Sequence, residues 1–174
     1  MLPLSRALEE QTVQVIRKTL FKLPEGGAEL GATLRKLDNF YASYDHDGLI
    51  YLVLMDTQSE SVVGGVGIVS FAGLDPEEGI GEIRELTVDP VHRGQGLGMK
   101  LLNAAIDTAL SFNYKRLYLE TTHDMSQALS LFERFGFRPV SLQQKDTSKR
   151  KEPLIRQAGR PAFYVWEASE PERV

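Results

Sequence analysis

The stretch IGEIRELTVDPVHRGQGLGMKLLNAAIDTALSF, residues 80–112, decides the fold. In its first part Ile80, Glu82, Arg84, Leu86 and Val88 interleave with Gly81, Ile83, Glu85 and Thr87, and Asp89-Pro90 stops the pattern. Period-two alternation closed by a turn dipeptide reads as a strand. Gly94, Gly96 and Gly98 follow, after which Leu97, Leu101, Leu102, Ala105, Ile106 and Ala109 recur with a period of about 3.6, that of a helix. A helix that opens inside a glycine loop gathers unpaired backbone N–H groups and the positive end of its dipole in one place, which suits a phosphate.

Glycine loops serve several phosphate ligands, and spacing separates them. A P-loop closes on Gly-Lys-Ser/Thr, whereas Gly98 is followed by Met99 and Lys100. A dinucleotide fingerprint needs Gly-x-Gly-x-x-Gly, and the run Gly94-Gln95-Gly96-Leu97-Gly98 lacks that spacing. What remains is Arg-x-x-Gly-x-Gly at Arg93, Gly96 and Gly98. A tight strand-to-helix turn without a ligand is the plainer alternative, but the strand before the loop, the arginine and the long amphipathic helix after it outweigh that reading.

At these residues the chain resembles the GNAT superfamily of acyl-CoA-dependent N-acyltransferases. A second stretch supports the resemblance: Gln127 to Phe137, QALSLFERFGF, looks like the family's helix ending in Gly-Phe. The resemblance implies an α/β fold of the α+β type, a single GNAT-like domain over residues 1–174 with a mixed, mostly antiparallel sheet flanked by helices and a splayed strand pair at its centre. It implies acetyl-CoA as co-substrate, its pyrophosphate held by Arg93, Gly94, Gln95, Gly96, Leu97 and Gly98. Backbone groups of Leu86, Thr87 and Val88 would pair with the pantetheine arm and polarise the thioester carbonyl. Glu82, six residues before Val88, stands where some members place a catalytic glutamate. Glu85 is its competitor, expected on the opposite face of the strand by the period of two. Partial burial suits a carboxylate to base work near neutral pH, and an ion pair with Arg84 is the structural alternative for either residue.

The chain departs from the family at the acid. The tyrosine that usually protonates the leaving thiolate, four residues ahead of the Gly of Gly-Phe, is Phe132 here, and Met125 stands where many members have an asparagine. Tyr118 and Tyr164 are the substitutes considered. A thiol of ordinary pKa, about 8.5, leaves with little help near neutrality. Two readings of function therefore stand: an N-acetyltransferase acting on a primary amine of a small molecule or a protein, and a non-catalytic acyl-CoA-binding or regulatory module of the same fold.

Working outward, residues 5–21 place Leu8, Thr12, Val15, Ile16, Thr19 and Leu20 at spacings of three and four, an amphipathic helix broken by Pro24-Glu25-Gly26-Gly27. A second, partly helical piece carries Leu30, Leu34, Leu37 and Phe40 toward Tyr41 and Tyr44. In the family two such helices wall the acceptor site, and the strand that usually precedes them is expected to be very short or missing. Residues 48–55 and 62–70 read as an antiparallel hairpin across a polar turn. Gly64, Gly65 and Gly67 in its second arm read most simply as sheet packing, with a bulge or close backbone approach as the other reading. Beyond the central helix come a strand at 116–121, a helix that Asp124 and Gln127 would cap and Gly136 would end, a strand from Phe137, a basic connection over 143–161 and a last strand at 162–168. The basic connection reads as a solvated loop or as a cover for the acceptor or the coenzyme's 3′-phosphate.

Composition bounds the chemistry. The 174 residues are 42% hydrophobic and 25% charged, ordinary for one globular domain. Without cysteine there is no disulfide, thiolate ligand or cysteine nucleophile, and His46, His92 and His123 have no metal-ligand spacing, so no metal is expected. A net charge of −4 argues against nonspecific nucleic-acid binding, and no apolar run approaches a membrane span. The N-terminus does not read as a signal peptide, so the expectation is a cytoplasmic protein whose partner is an amine-bearing substrate, with a homodimer allowed.

Overall fold

The computed structural model describes residues 1–20, 35, 37–122, 126–142 and 161–169. Its strands are β1 (Leu2–Pro3), β2 (Ile50–Asp56), β3 (Ser61–Ser70), β4 (Ile80–Val88), β5 (Arg116–Thr122), β6 (Arg138–Val140) and β7 (Pro161–Glu167). They form one sheet in the order β1-β2-β3-β4-β5-β7-β6, and every pairing is antiparallel except β4 with β5. The α-helices whose bounds fall within the described residues are α1 (Arg6–Leu20), α2 (Leu97–Ser111) and α3 (Ser126–Arg134). The first strand is, as expected, very short: two residues pairing with Val53 and Leu52.

Both faces of the sheet are covered, which explains why β2 and β3 read as nearly continuous apolar runs. On one face Leu52, Leu54, Val66, Ile68 and Ile83 pack with Leu101, Leu102, Ala105 and Ile106 of α2 and Phe132 of α3. On the other, Tyr51, Val53, Val62 and Val69 pack with Val13, Val15 and Ile16 of α1 and with Leu37, Phe40 and Tyr44. The second helical piece appears as two 3-10 turns, Leu37–Asn39 and Tyr41–Ser43; its expected earlier part lies outside the described residues. The same holds for the Asp124 cap, Met125 and the basic connection over 143–160.

Helix ends follow local chemistry. At the end of α3, Gly136 has φ 84, its N–H bonds the carbonyl of Glu133, and Phe137 N–H reaches back to the carbonyl of Phe132. That is a Schellman ending, and the contact between Phe132 and Phe137, with ring centroids 6.1 Å apart, is its usual apolar accompaniment. Asn113, φ 63, ends α2 in the same way, with Tyr114 N–H bonded to the carbonyl of Ala109. Among the described residues no helix is long and apolar enough to cross a membrane.

Candidate active site

The centre of the sheet opens. β4 and β5 pair only from Ile80 with Arg116 to Ile83 with Leu119. Beyond that point β4 stays with β3 as far as Val88, while Glu120, Thr121 and Thr122 of β5 stay with β7. The two central strands part, as the family resemblance implies.

A bulge marks the parting. Gly65 pairs with Thr87 and Gly67 with Arg84, so Val66 alone opposes Glu85 and Leu86. Glu85 takes the extra place with φ 44, a left-handed conformation that costs a side-chain-bearing residue about 1–3 kcal/mol unless its surroundings impose it. The surroundings are two tyrosines. Tyr51 donates its hydroxyl to the carbonyl of Glu85 at 3.2 Å and lies 3.4 Å from Thr87 Oγ1, and the Tyr44 hydroxyl donates to the Glu85 carboxylate. Tyr44 packs on the α1 face with Phe40 and Tyr51, their centroids 5.4 and 5.2 Å away, so Glu85 lies on that face as well.

This corrects the expected separation of the two glutamates. Glu82 pairs with Val69, which also belongs to the α1 face, so both glutamates share it. A period of two holds only for a regular ladder, and one inserted residue turns Glu85 back to the side of Glu82. Glu82 is 1% exposed and accepts from Arg84 Nη2 at 2.9 Å. Glu85 is only partly buried.

The bulge and the close approach also explain the glycines of β3, for which plain sheet packing is too weak an account. A Cβ on Gly67 would lie 2.7 Å from Cζ of Tyr44, and one on Gly65 would lie 2.6 Å from the hydroxyl of Tyr51. Burial pushes the Tyr44 phenol well above its ordinary pKa, and the neighbouring Glu85 charge adds to it. Tyr51 is raised too, by burial first, against a smaller lowering by its bond to Thr87.

On the opposite face the chain runs into the glycine loop. Leu86 and Val88 pack against the α2 core, whereas Thr87 is buried beside Tyr51. Arg93 Nε bonds the carbonyl of Val88 at 3.3 Å and ties the loop to the end of β4. Gly94 and Gly96 are left-handed, φ 78 and 74; nothing lies within 4 Å of a Cβ built on the first, and only Met99 Cε, at 3.9 Å, near the second. Their surroundings are open, so backbone conformation rather than crowding demands glycine. Gly98 differs, because its Cβ would meet Leu131 Cδ2 of α3 at 3.4 Å. Gly96 caps α2 without a side-chain bond, Gln95 is exposed and Leu97 half-buried. The exposed loop and the uncapped N-terminus of α2 fit a pyrophosphate.

Asp89 sets the loop's origin. Its carboxylate caps the following turn through Val91 N–H at 3.1 Å and accepts from Lys18 Nζ of α1 at 2.8 Å. Burial works to raise its pKa, but the Lys18 bond and the Val91 bond together hold it below the usual carboxylate value. A depressed carboxylate stabilises the fold above its unfolded pKa, about 3.9, and that contribution disappears as pH falls through the folded value. Asp89→Asn should therefore cost about 1 kcal/mol near neutrality. The gap between the two melting curves should close as pH is taken below 4, about the unfolded carboxylate value.

The two candidate phenols are not brought together. Tyr118 pairs with Glu82 across the β4–β5 ladder and stacks on Phe71 at 4.3 Å, on the α1 face. Tyr164, opposite Leu119, is buried in the α2 core on the other face. Phe132 is buried there too, consistent with its place in the helix ending. Missed in the sequence were Tyr44 and Tyr51, the two hydroxyls that hold Glu85. For Tyr51 the one available signal was its place in the apolar run of β2 opposite the glycine-rich β3; Tyr44 stands in a polar stretch and offered none. An open cavity of about 310 Å³ is lined by Tyr41, Tyr44, Asp45 and Tyr51 among others, and none of its described lining residues belongs to β4 or β5.

Comparison with known proteins agrees with this geometry. Residues 18–137 match the Acetyltransferase (GNAT) family. A protein named "Uncharacterized N-acetyltransferase YjgM" from Escherichia coli (strain K12) is 34% identical over 146 residues, covering 79% of this chain and 83% of that protein. The structure of yncA from Salmonella typhimurium with its cofactor acetyl-CoA superposes with a TM-score of 0.72 at 18% identity, over 99% of this chain and 95% of that one. A ribosomal-protein-alanine N-acetyltransferase from Brucella melitensis gives 0.73 at 18% identity, over 95% and 98%. At such identities the two structures speak to the fold alone, whereas the matched family pattern and the relative from Escherichia coli speak to descent. With its parted central strands and its loop from Arg93 to Gly98, the chain belongs to the GNAT family of acetyltransferases.

Proposed function

We propose that the protein moves the acetyl group of acetyl-CoA to a primary amine. The observation that carries this reading is the parting of β4 from β5 after Ile83, on a strand that leads directly into an open, left-handed glycine loop at an uncapped helix start. When bound, acetyl-CoA supplies the thioester carbonyl carbon, which bonds the amine nitrogen as the carbon–sulfur bond breaks. The loop from Arg93 to Gly98 holds the pyrophosphate, and main-chain groups of Leu86, Thr87 and Val88 orient the acetyl-bearing end. Backbone donors aimed at a carbonyl stabilise the charge that develops on its oxygen. Glu82 takes the proton the amine loses, with Arg84 fixing its carboxylate in place. Phe132 has no proton to give, so the thiolate takes its proton from water or from Tyr118, which shares the Glu82 face.

The test is acetyl-CoA with a panel of amines, read by thiol release. Glu82→Gln should lower turnover about 100-fold and move the basic dependence of the rate to higher pH, with the KM for acetyl-CoA little changed. Tight acetyl-CoA binding without transfer to any amine would favour the non-catalytic reading instead.

A further inference from the structure

One buried hydroxyl holds both residues that flank Leu86. The Tyr51 hydroxyl donates to the carbonyl of Glu85 at 3.2 Å and lies 3.4 Å from Thr87 Oγ1. Its single proton goes to the carbonyl, so the threonine hydroxyl donates to the phenol oxygen. The ring reaches these atoms from β2 by crossing over β3 at Gly65, where a Cβ would lie 2.6 Å from the hydroxyl. Its own position is fixed: Tyr51 is 1% exposed, with the rings of Phe40 and Tyr44 edge-on to it at 4.9 and 5.2 Å. Burial pushes the phenol above its ordinary pKa, against the smaller lowering by Thr87, so it stays protonated and remains a donor across the working pH range.

A peptide unit is planar and trans, so its carbonyl and its N–H point in opposite directions. A Glu85 carbonyl turned toward β3 and the α1 face therefore turns the Leu86 N–H away from both, to the side on which β4 parts from β5. The ladder beyond the bulge gives the same direction. Asp89 N–H bonds the carbonyl of Val63 at 2.8 Å, and bonded and non-bonded positions alternate along antiparallel strands. Thr87, opposite Gly65, thus turns its main-chain groups to β3, while those of Leu86 and Val88 face the gap, where the Val88 carbonyl accepts from Arg93 Nε.

We infer that Tyr51 is a positioning residue for acetyl transfer: by clipping Glu85 to Thr87 it aims the Leu86 N–H at the thioester carbonyl. The inference rests on the acetyl-transfer reading and deepens it. Tyr51 acts through the backbone of the bulge, whose left-handed residue persists only because its surroundings impose it.

The experiment takes the wild type, Tyr51→Phe, Thr87→Val and the double variant, each first shown to be folded by thermal melting. Turnover is measured with the amine that the wild type uses best, and acetyl-CoA affinity by calorimetry. The carbon-13 resonance of bound acetyl-CoA, labelled at the thioester carbonyl, reports the hydrogen bond, because a donor to that oxygen draws electron density from the carbon and moves its signal downfield. In the wild type the bound signal should lie downfield of that of free acetyl-CoA. Tyr51→Phe keeps the ring and removes one oxygen; it should bring the signal back toward the free position. It should also lower kcat about tenfold while the Kd for acetyl-CoA stays within about twofold. The loss stays below the factor of about 100 that follows deletion of such a donor, because the N–H is misdirected and not absent. Thr87→Val should act in the same direction by a smaller factor. The double variant should lose less than the product of the two single effects, since both act through one clip. If Tyr51→Phe fails to fold, Thr87→Val carries the same test.

A carbonyl signal that Tyr51→Phe leaves in place would overturn the inference whatever happens to the rate, since the phenol would then support the fold alone. So would an unchanged kcat, or a loss of acetyl-CoA affinity as large as the loss of rate. If the wild type binds acetyl-CoA and transfers its acetyl group to no amine, the transfer reading itself fails and takes this inference with it.

Discussion

Gly96→Val is expected to lower the affinity for acetyl-CoA about 100-fold or more while leaving the protein folded. Gly96 caps α2 with φ 74, where a residue with a Cβ pays about 1–2 kcal/mol and a β-branched one more. The surroundings can accept the added atoms, since only Met99 Cε lies within 4 Å of the Cβ position. The damage therefore falls on the loop. Either the backbone leaves the left-handed region, which re-aims the first N–H groups of the helix, or the isopropyl group stands over them. Losing two charge-assisted bonds of about 1.5 kcal/mol each amounts to about 3 kcal/mol, a factor above 100 in Kd. Calorimetric titration with acetyl-CoA measures the affinity, and a melting curve checks the fold. Unchanged affinity would place the pyrophosphate elsewhere.

What could be read in advance depended on whether the information was local. β4, α2 and the glycine between them were legible because alternation, helical period and positive-φ glycine positions are properties of neighbouring residues. The ending at Gly136 was legible for the same reason. The side of the strand on which Glu85 lies was not. It depends on Val66 facing two residues, an irregularity fixed between strands, and a left-handed glutamate has no signature in its own sequence. The purpose of Gly65 and Gly67 was hidden likewise, since the rings that need the space come from Tyr51 and Tyr44, one strand away and on a separate turn. The second, partly helical piece is described only toward its end, where Leu37 and Phe40 at the 3-10 turns Leu37–Asn39 and Tyr41–Ser43 are buried against the α1 face.

Gly67→Ala should cost the protein about 3 kcal/mol, lowering Tm by about 6–12 °C for a chain of this size. The added methyl would lie 2.7 Å from Cζ and 2.8 Å from Cε1 of Tyr44, and closer still to the phenolic oxygen. A flexible side chain would swing away at little cost, but Tyr44 is 7% exposed and packed against Phe40 and Tyr51. Moving it would strip the Glu85 carboxylate of the phenol's hydrogen bond and loosen the packing that holds the Tyr51 ring over the bulge. Stability and site geometry thus fail together. Tyr44→Phe removes the oxygen nearest the new methyl, so the double variant Gly67→Ala with Tyr44→Phe should regain part of the loss. Its Tm should therefore lie above that expected by adding the two single effects, because residues in contact couple. Strict additivity would mean that Gly67 serves strand pairing alone and that the glycine was not placed to admit the tyrosine.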